Sequence, residues 1–419
     1  MKKFAKCFAG GVLAAVVAMG FASCDRIGGA GGVQGVTDST ILVGNTAPTS
    51  GAFAMVGVPF NDGIRAYFHR VNQRGGINGR RIEFINHDDG FDPVNGLAFT
   101  EALIHDDRVF AIVGHFGTPT IGATLGLLRQ TGIPVVYFAT GIGALFSDDA
   151  FDNARGRSLF PVQAIYVTEG RVLVARAIEE YGARNIGVIF TSDEAGHDYM
   201  RGIQYQINRM GPGFRLVPEQ VAPGQADVSS AVLRMISEDV DVVIAASLQA
   251  TFVIIANAIV AGGLNVPVFT SYISADPITL AGFATDYLGS GATFNIYSTA
   301  WLDAGAVAEH RDFVDGVTLF GQPALADNAF AQAGWVAGST FVGGLRNMPA
   351  GAELTWDTFI EAMERAPIMV PMAGLMDFSN GRRTGTENLA LVRANMATGA
   401  WETLRPLEPL QAVLQRIER

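Results

Sequence analysis

Short apolar runs alternate with amphipathic stretches along most of the chain. The first runs, which have the length and composition of buried strands, lie at 41–47, 82–85, 109–113 and 133–138. Between them, apolar residues recur every three or four positions, as at Phe60 and Ile64, which is the spacing of one helix face. Strands that alternate with helices predict a parallel sheet with helices on both faces.

A second series of the same kind begins near Pro161. Its predicted strands lie at 186–190, 215–221, 240–245 and 266–270, with helices between them. Two such series predict an α/β fold of two doubly wound parallel-sheet lobes. The remaining chain is less regular, and its pattern predicts a strand at 295–300, a helix at 329–345 and a terminal hairpin that turns at Gly399.

The segment 111–141 contains the clearest candidate for a binding site. An apolar strand is followed by glycines, then by Thr118 and Pro119, and then by apolar residues at helical spacing. This order predicts a helix with Thr118 as its N-cap and Pro119 as its first residue. Ligands of open α/β sheets bind at the edge where such loops lie, and the unpaired amides of a helix start suit a carboxylate. Thr118 is equally consistent with a cap that has no other role.

The composition indicates a globular protein with large cores and argues against a nucleic-acid partner. Of the 419 residues, 49% are hydrophobic and 16% are charged, and the length suggests two or three domains. The formal net charge is −11, and no long basic run occurs after the first few residues. Because nucleic-acid binding needs basic patches, we predict no nucleic-acid partner.

The first residues have the pattern of a targeting segment. Three lysines within the first six residues precede an apolar run, which ends in small residues before Cys24. This pattern predicts a signal peptide over 1–23 rather than a membrane span. Cys24 resembles the lipidated cysteine of a bacterial lipoprotein box, and the glycine-rich segment 24–39 would then be a flexible tether. The alternative is ordinary signal cleavage near Ser23. Because Cys7 would leave with the signal, we expect no disulfide in the mature chain.

The signals for chemistry elsewhere in the sequence are weak. His87, Asp88 and Asp89 could suggest a metal site, but acidic residues at a strand end are more simply explained as structural. The histidines show no H-E-x-x-H spacing, and the chain has no G-x-S-x-G elbow and no G-x-x-x-x-G-K phosphate loop. The adjacent carboxylates Asp193 and Glu194 are unsuited to converge on one bond. We therefore predict no metal, no cofactor and no catalytic residue, and expect that the protein is not an enzyme.

Four motifs occur in the order and spacing of a known family. They are PTSGAFAMVG, NQRGGINGRRIEFINHDDGFDP, AIVGHFGTPT and GIPVVYFAT. The chain resembles the type I periplasmic solute-binding proteins, in particular the branched-chain amino-acid-binding (Leu/Ile/Val-binding) family of ABC transporters. The resemblance is strong over 41–145, extends to about Thr270 and is thin after it. It implies two lobes joined by three crossing segments, which we expect near Phe160, Asp276 and Pro371. The implied lobes are 40–160 with about 277–370, and 161–276 with about 371–419.

The resemblance also implies which residues of the first lobe hold a ligand. In the family, two loops hold the α-carboxylate of the ligand, and they match Phe116-Gly117-Thr118 and Ala139-Thr140-Gly141 in this sequence. The helix-start argument points to the same loops without the family.

The second lobe departs from the family pattern. Ala195 stands where the family commonly has a tyrosine, Leu248 where it often has an aromatic residue, and Tyr272 where amino-acid binders carry an acid for the ligand ammonium. The ring face of Tyr272 or the nearby Asp276 could replace that acid. Phe330 matches a position where the family places an aromatic in the pocket, and core packing is an equally good explanation for it.

The implied function is that of a lipid-anchored substrate-binding protein of an ABC importer, in the periplasm or at the cell surface. The implied ligand is a small carboxylate-bearing solute, and branched-chain or related amino acids come first. Aromatic or other apolar carboxylates and amides are the alternatives within this class. A sensor that serves a separate signalling partner, or a hydrolase, would be the rival classes. The expected partners are the ligand, the permease subunits and, through the lipid, the membrane, and we expect a monomer.

Overall fold

A five-stranded parallel sheet organises the first half of the computed structural model, which describes residues 33–146, 156–303 and 305–418. Its strands are β1 (Thr40–Thr46), β2 (Arg81–His87), β3 (Ala111–Phe116), β4 (Val135–Ala139) and β5 (Leu159–Phe160). They are joined by the helices α1 (Ala54–Gln73), α2 (Pro93–His105) and α3 (Thr118–Thr131). The strand order β2-β1-β3-β4-β5, with all neighbours parallel, confirms the doubly wound prediction for this lobe.

A seven-stranded sheet forms the second lobe. Its elements begin with α4 (Tyr166–Tyr181), β6 (Asn185–Thr191), α5 (Glu194–Met210), β7 (Arg215–Val221), α6 (Ser229–Ser237), β8 (Val242–Ala246), α7 (Gln249–Gly262) and β9 (Val268–Thr270). They continue with α8 (Pro277–Ser290) and β10 (Ile296–Ala300). The strands β6, β7, β8, β9 and β10 pair in parallel, so this lobe is again a doubly wound α/β unit.

The position of β10 corrects one expected boundary. The resemblance implies that the segment after Asp276 belongs to the first lobe, but β10 pairs in parallel with β9, with Ser298 opposite Thr270. The helix between them, α8, packs against α7. The chain therefore makes one more strand-helix-strand unit before it returns to the first lobe. It does so after Ala300, where the amide of Asp303 donates to the carbonyl oxygen of Met372 (2.5 Å).

The last part of the chain corrects a second expected boundary. The elements here are α9 (Val307–Leu319), α10 (Ala329–Arg346), α11 (Trp356–Arg365), β11 (Ile368–Val370), β12 (Gly374–Met376), β13 (Asn388–Asn395), β14 (Ala400–Pro409) and α12 (Leu410–Ile417). The crossing expected near Pro371 lies instead between Arg383 and β13. The buried guanidinium of Arg383 contacts Glu364 of α11 (2.6 Å) and lies 4.3 Å from the ring centre of Phe160, which holds this stretch on the first lobe. The strands β13 and β14 then extend the second sheet as an antiparallel hairpin.

The helices α1 and α10 pack backbone to backbone beside the first sheet. A Cβ on Gly334 of α10 would lie 1.9 Å from the carbonyl oxygen of Phe60, and one on Gly63 of α1 would lie 2.0 Å from that of Ala331. Both distances are far below any contact a real Cβ makes, so these two glycines permit the close approach. The contact matters for the binding site because it sets where the start of α10, including Phe330, lies relative to the first sheet.

Candidate ligand-binding site

The loop between β3 and α3 brings Thr118 to the carboxyl edge of the first sheet. Gly117 is the N-cap of α3, with a φ of 94°, and Thr118 is the first residue of the helix. The prediction that Thr118 is the N-cap is therefore wrong. A glycine adopts this positive φ at little cost, and the turn leaves the threonine hydroxyl available for another contact. Thr118 Oγ1 lies 2.8 Å from Thr140 Oγ1, and the two hydroxyl groups share a hydrogen bond.

A third hydroxyl group, that of Tyr166, approaches the same two threonines from the start of α4. Thr140 Oγ1 lies 3.5 Å from the phenol oxygen of Tyr166, and the amide of Tyr166 donates to the carbonyl oxygen of Gly141 (2.8 Å). A Cβ on Gly141 would come within 2.6 Å of the Tyr166 ring, so the loop needs glycine there. Burial raises the pKa of Tyr166, which keeps the phenol protonated and able to donate a hydrogen bond at neutral pH.

A small cavity of about 40 Å³ adjoins these groups, and we call it the Thr118 pocket. Among the described residues that line it are Phe116, Gly117, Thr118, Ala139, Tyr166, Leu248, Gln249 and Ile273. The lining comes from both lobes, since Leu248 and Ile273 follow β8 and β9 while the threonine loop follows β3. The lining residues described include no charged side chain.

A larger cavity of about 700 Å³ opens beside the Thr118 pocket, and we call it the outer cleft. Phe53, Phe91, Thr118 and Leu248 line both cavities. The rings of Phe53 and Phe91 are stacked with their centres 3.8 Å apart, so they present one continuous apolar wall. Polar side chains, among them Asp193, lie on the side of the second lobe.

The two lobes also touch directly. Asp198 of α5 accepts a hydrogen bond from the amide of Gly143, which lies in the loop after β4 (2.5 Å). Asp198 also pairs with Arg201, one turn further along α5. A contact of this kind links the lobes directly, so a change in the distance between them would break it.

The remaining predicted site residues lie in different places. Leu248 lines the Thr118 pocket and the outer cleft, whereas Ala195 is fully buried in α5 and is absent from the described linings of both. Tyr272 and Phe330 line a third cavity of about 600 Å³, which we call the hinge-side cavity. Of the described lining residues, Ile273 alone is common to this cavity and the Thr118 pocket.

Glu169 of α4 lies beside the site, and sequence reasoning missed it. Its carboxylate is fully buried and accepts hydrogen bonds from the amide of Tyr272 (2.8 Å), from Ser271 Oγ (2.9 Å) and from Thr299 Oγ1. Burial raises the pKa of Glu169 to about 7, and the three hydrogen bonds offset part of that effect. The residue ties the loop that carries Tyr272 to helix α4.

The sequence does contain a signal for Glu169. Tyr166, Glu169 and Leu173 are spaced three and four residues apart, so they share one face of α4. Both apolar members are buried. A lone acid on an otherwise apolar helix face predicts a buried carboxylate with dedicated donors, because an unpaired charge there would be costly.

The strand-end acids and histidines have structural partners. His87 pairs with Asp107 (2.7 Å), and Asp88 accepts a hydrogen bond from the amide of Thr49 (2.8 Å). Burial raises the pKa of Asp89 to about 6, and burial lowers that of His115 to about 3. In the part of the chain that the structure covers, no group of three His, Cys, Asp or Glu side chains is arranged to hold a metal ion.

The predicted signal peptide, most of the tether and Cys24 lie outside the described residues. Within the described ranges, no helix is long and apolar enough to cross a membrane.

Comparison with known proteins identifies one family. A family model described as periplasmic binding protein matches residues 40–400. The chain is similar to an amino acid binding protein of Pseudomonas aeruginosa, with 25% identity over 207 residues that make up 48% of this chain and 52% of that protein. It is also similar to Leu/Ile/Val-binding protein homolog 2 of Brucella abortus, with 24% identity over 236 residues, or 56% of this chain and 58% of that protein. The chain thus spans about half the length of the curated relatives it matches.

Solved structures share the fold over nearly the whole chain. A branched chain amino acid ABC transporter protein from Thermus thermophilus with bound valine has a TM-score of 0.76 at 15% identity and covers 91% of this chain and 99% of its own. A fatty acid ABC transporter substrate-binding protein from Thermomonospora curvata has a TM-score of 0.75 at 18% identity, and the match covers 91% of this chain and 95% of that protein. A solute binding protein from R. palustris in complex with benzoate has a TM-score of 0.71 at 20% identity, and the match covers 88% of this chain and 98% of that protein. Identities this low establish the fold alone.

Proposed function

The chain belongs to the periplasmic binding protein family, and on that premise we propose that it is the extracytoplasmic substrate-binding protein of an ABC importer. The proposed ligand is a small solute with one carboxylate and an apolar body. The observation that carries the proposal is the hydroxyl group of Thr118, which lies at the start of α3, lines both the Thr118 pocket and the outer cleft, and is held by the buried hydroxyl of Thr140, 2.8 Å away. The amides of a helix start and a positioned hydroxyl donor suit a carboxylate.

The mechanism we propose is closure of the two lobes around the ligand. The carboxylate would bind to the first lobe, and contacts of the apolar body with Leu248 and Ile273 would then favour the closed arrangement. The hydrogen bond between Gly143 and Asp198 joins the two lobes directly and would stabilise that arrangement. Binding energy shifts a population of open and closed forms and drives no bond chemistry. The permease subunits would recognise the closed form.

The lining of the Thr118 pocket favours acids without an ammonium group over amino acids. A branched-chain amino acid would need an acceptor for its ammonium close to its carboxylate, and none of the described residues that line the Thr118 pocket is acidic, whereas Asp193 and Glu194 lie on the second-lobe side of the outer cleft. An unpaired ammonium in such a pocket is costly. Amino acids remain the second candidate, because the curated relatives carry amino-acid-binding names. Anchoring through a lipid on Cys24 is part of the same proposal.

The first experiment is a melting assay of the soluble body from Val36 onward with matched ligands. We expect 4-methylpentanoate, which is leucine without its amine, and benzoate to raise the melting temperature, because a ligand in large excess over its Kd stabilises the folded state by a few kcal/mol. Leucine, isoleucine and valine should give smaller shifts. A rise in melting temperature with the amino acids alone would contradict the preference for deaminated acids. If no carboxylate changed the melting temperature, the proposed ligand class would be wrong.

Replacing Thr118 by valine tests the hydroxyl pair itself. We expect Thr118→Val to weaken carboxylate binding by about 10-fold or more, since a hydrogen bond to a charged group contributes roughly 1.5–3 kcal/mol. Thr131→Val is the matched control, because Thr131 ends the same helix and its hydroxyl bonds only to helix carbonyl oxygens. Isothermal titration of both variants with the best carboxylate measures the effect. Equal affinity in both variants would exclude Thr118 from the carboxylate site.

A further inference from the structure

The hinge-side cavity carries an excess of negative charge that no basic side chain balances by an ion pair. Asp276, Asp303 and Asp327 line it, and His310 is the one basic residue among the lining residues described. Elsewhere in the described chain, carboxylates are commonly paired with arginines, as Glu364 is with Arg383, but none of these three aspartates takes part in an ion pair.

Four aromatic rings line the same cavity. They belong to Tyr272, Trp301, Phe330 and Trp401. In the described ranges, arginine side chains lie over six other rings, and none lies over any of these four. The face of an aromatic ring attracts a cation, most strongly where the cation is desolvated. Rings and carboxylates around one space of about 600 Å³ are therefore matched to an organic cation.

A buried amide gives an independent indication of a missing donor. Gln163 lines the cavity with only 7% of its surface exposed, and its Oε1 has no hydrogen-bond partner. The hydroxyl of Tyr137, which lies near Gln163, also has no hydrogen-bond partner. Burial raises the pKa of Tyr137, and the nearby Gln163 offsets part of that rise. A buried acceptor without a donor is costly, and a rotation of the Gln163 side chain toward the cavity would let an N–H group or a water held by a ligand relieve that cost.

We propose that the hinge-side cavity binds a compact organic cation, an amine or a quaternary ammonium group. The ammonium would lie among the rings of Trp301, Phe330 and Trp401, with Asp276 as its nearest buried counter-charge. Asp276 is 3% exposed, and its position is fixed because it caps α8 through the amide of Thr279 (2.8 Å) and because Trp401 Nε1 donates to its carbonyl oxygen (3.1 Å). This site is distinct from the carboxylate site, since the two cavities share only Ile273 among their described lining residues.

The test compares choline with its neutral isostere, 3,3-dimethylbutan-1-ol, by isothermal titration of the soluble body. We expect choline to bind about 10-fold or more tightly than the isostere, because the two probes differ only in charge. Equal binding of the two probes would show that the cavity selects for shape alone, and absence of choline binding at millimolar concentration would contradict the site. Either result overturns the proposal.

Asp276→Asn tests the counter-charge while it keeps an N-cap residue on α8. We expect this variant to lower choline affinity about 5- to 10-fold and to leave the isostere unaffected. Asp92→Asn is the matched control, because Asp92 also caps a helix, through the amides of Val94 and Asn95, and lines none of the three cavities in the described part of the chain. Equal choline affinity in the two variants would exclude Asp276 as the counter-charge and contradict the proposal.

Two further variants keep the test decisive. Phe330→Leu removes one ring without changing charge, and should weaken choline binding even if Asp276→Asn folds poorly. Thr118→Val should leave choline binding unchanged, so a failure of the carboxylate proposal and a failure of this one are separable. Loss of choline binding in Thr118→Val would place the cation in the Thr118 pocket instead. An unchanged choline affinity in Phe330→Leu would contradict a site among these rings.

Discussion

Replacing Gly334 by alanine is expected to destabilise the protein by about 3 kcal/mol or more, whereas the same replacement at Gly126 is expected to stabilise it slightly. The added methyl at Gly334 would lie 1.9 Å from the carbonyl oxygen of Phe60, so α1 and α10 would have to separate. Overpacking of a core commonly costs about 1–3 kcal/mol, and a clash with backbone exceeds the usual case because backbone has no rotamer to yield. Urea unfolding followed by circular dichroism measures the difference.

Gly126 is the matched control because it also lies inside a helix, α3, and a Cβ there meets nothing within 4 Å. Alanine at such a site stabilises by roughly 0.5–1 kcal/mol, since it reduces the freedom of the unfolded chain. If Gly334→Ala and Gly126→Ala had the same unfolding midpoint, the close packing of α1 on α10 would be refuted. We also expect Gly334→Ala to weaken ligand binding, because the start of α10 would move with the helix.

The local order of strands and helices was predictable because each element carries its own signal. The run before Gly114 and the spacing of apolar residues after Thr118 depend only on near neighbours, and the structure has β3 and α3 at those places. The predicted N-cap of α3, Thr118, is one residue too late, because Gly117, with its positive φ, is the N-cap in the structure. Sequence alone gives no preference between two adjacent small residues there.

The lobe boundaries were not predictable in the same way. The pattern predicts a strand at 295–300, and β10 lies there, but the pattern does not predict its sheet, because a short buried strand has the same apolar pattern in either lobe. β10 pairs with β9, and α8, the helix between these two strands, packs against α7. This contact joins two helices that are separate in the sequence, so a local pattern does not predict it. Likewise, the third crossing lies after Arg383 and not near Pro371, and the ion pair of Arg383 with Glu364 that holds this stretch on the first lobe is not predictable from a local pattern.

The candidate site divides along the same line. Thr118 and Thr140 were expected together because both follow parallel strands at one edge, and the structure places their hydroxyl groups 2.8 Å apart. The division of the space into three cavities depends on how the lobes meet, so the sequence could not place Tyr272 and Phe330 in a cavity apart from Thr118. Whether these residues contact a ligand stays a prediction.

Replacing Glu169 by glutamine is expected to remove a large pH dependence of stability. The pKa of Glu169 is raised from an ordinary value near 4.5 to about 7 in the folded protein, chiefly by burial. Between those two values the folded state holds a proton that the unfolded state has lost. The free energy of unfolding therefore falls as pH rises through this window, by at most about 1.4 kcal/mol per pH unit, and the contribution that is present below pH 4.5 is lost above pH 7.

The surroundings of Glu169 explain the sign. The titratable groups that face it are the phenols of Tyr166, Tyr199 and Tyr272, which are all buried, and burial raises the pKa of each of them. The largest influences on the pKa of Glu169 are burial and hydrogen bonds, and no ion pair in the described part of the chain includes Glu169. Deprotonation thus places an unpaired charge in the core, held only by hydroxyl and amide donors such as the amide of Tyr272.

The measurement is the difference in unfolding free energy between Glu169→Gln and the wild type at several pH values from 4.5 to 7.5. Glutamine mimics the protonated acid, so the variant should gain on the order of 3 kcal/mol relative to the wild type across that range, while other titrating groups, including Asp89, cancel in the difference. Glu101→Gln is the control, because Glu101 is an exposed carboxylate of α2 with no hydrogen bond or ion pair within the described ranges. If both differences stayed flat with pH, Glu169 would titrate as an ordinary carboxylate.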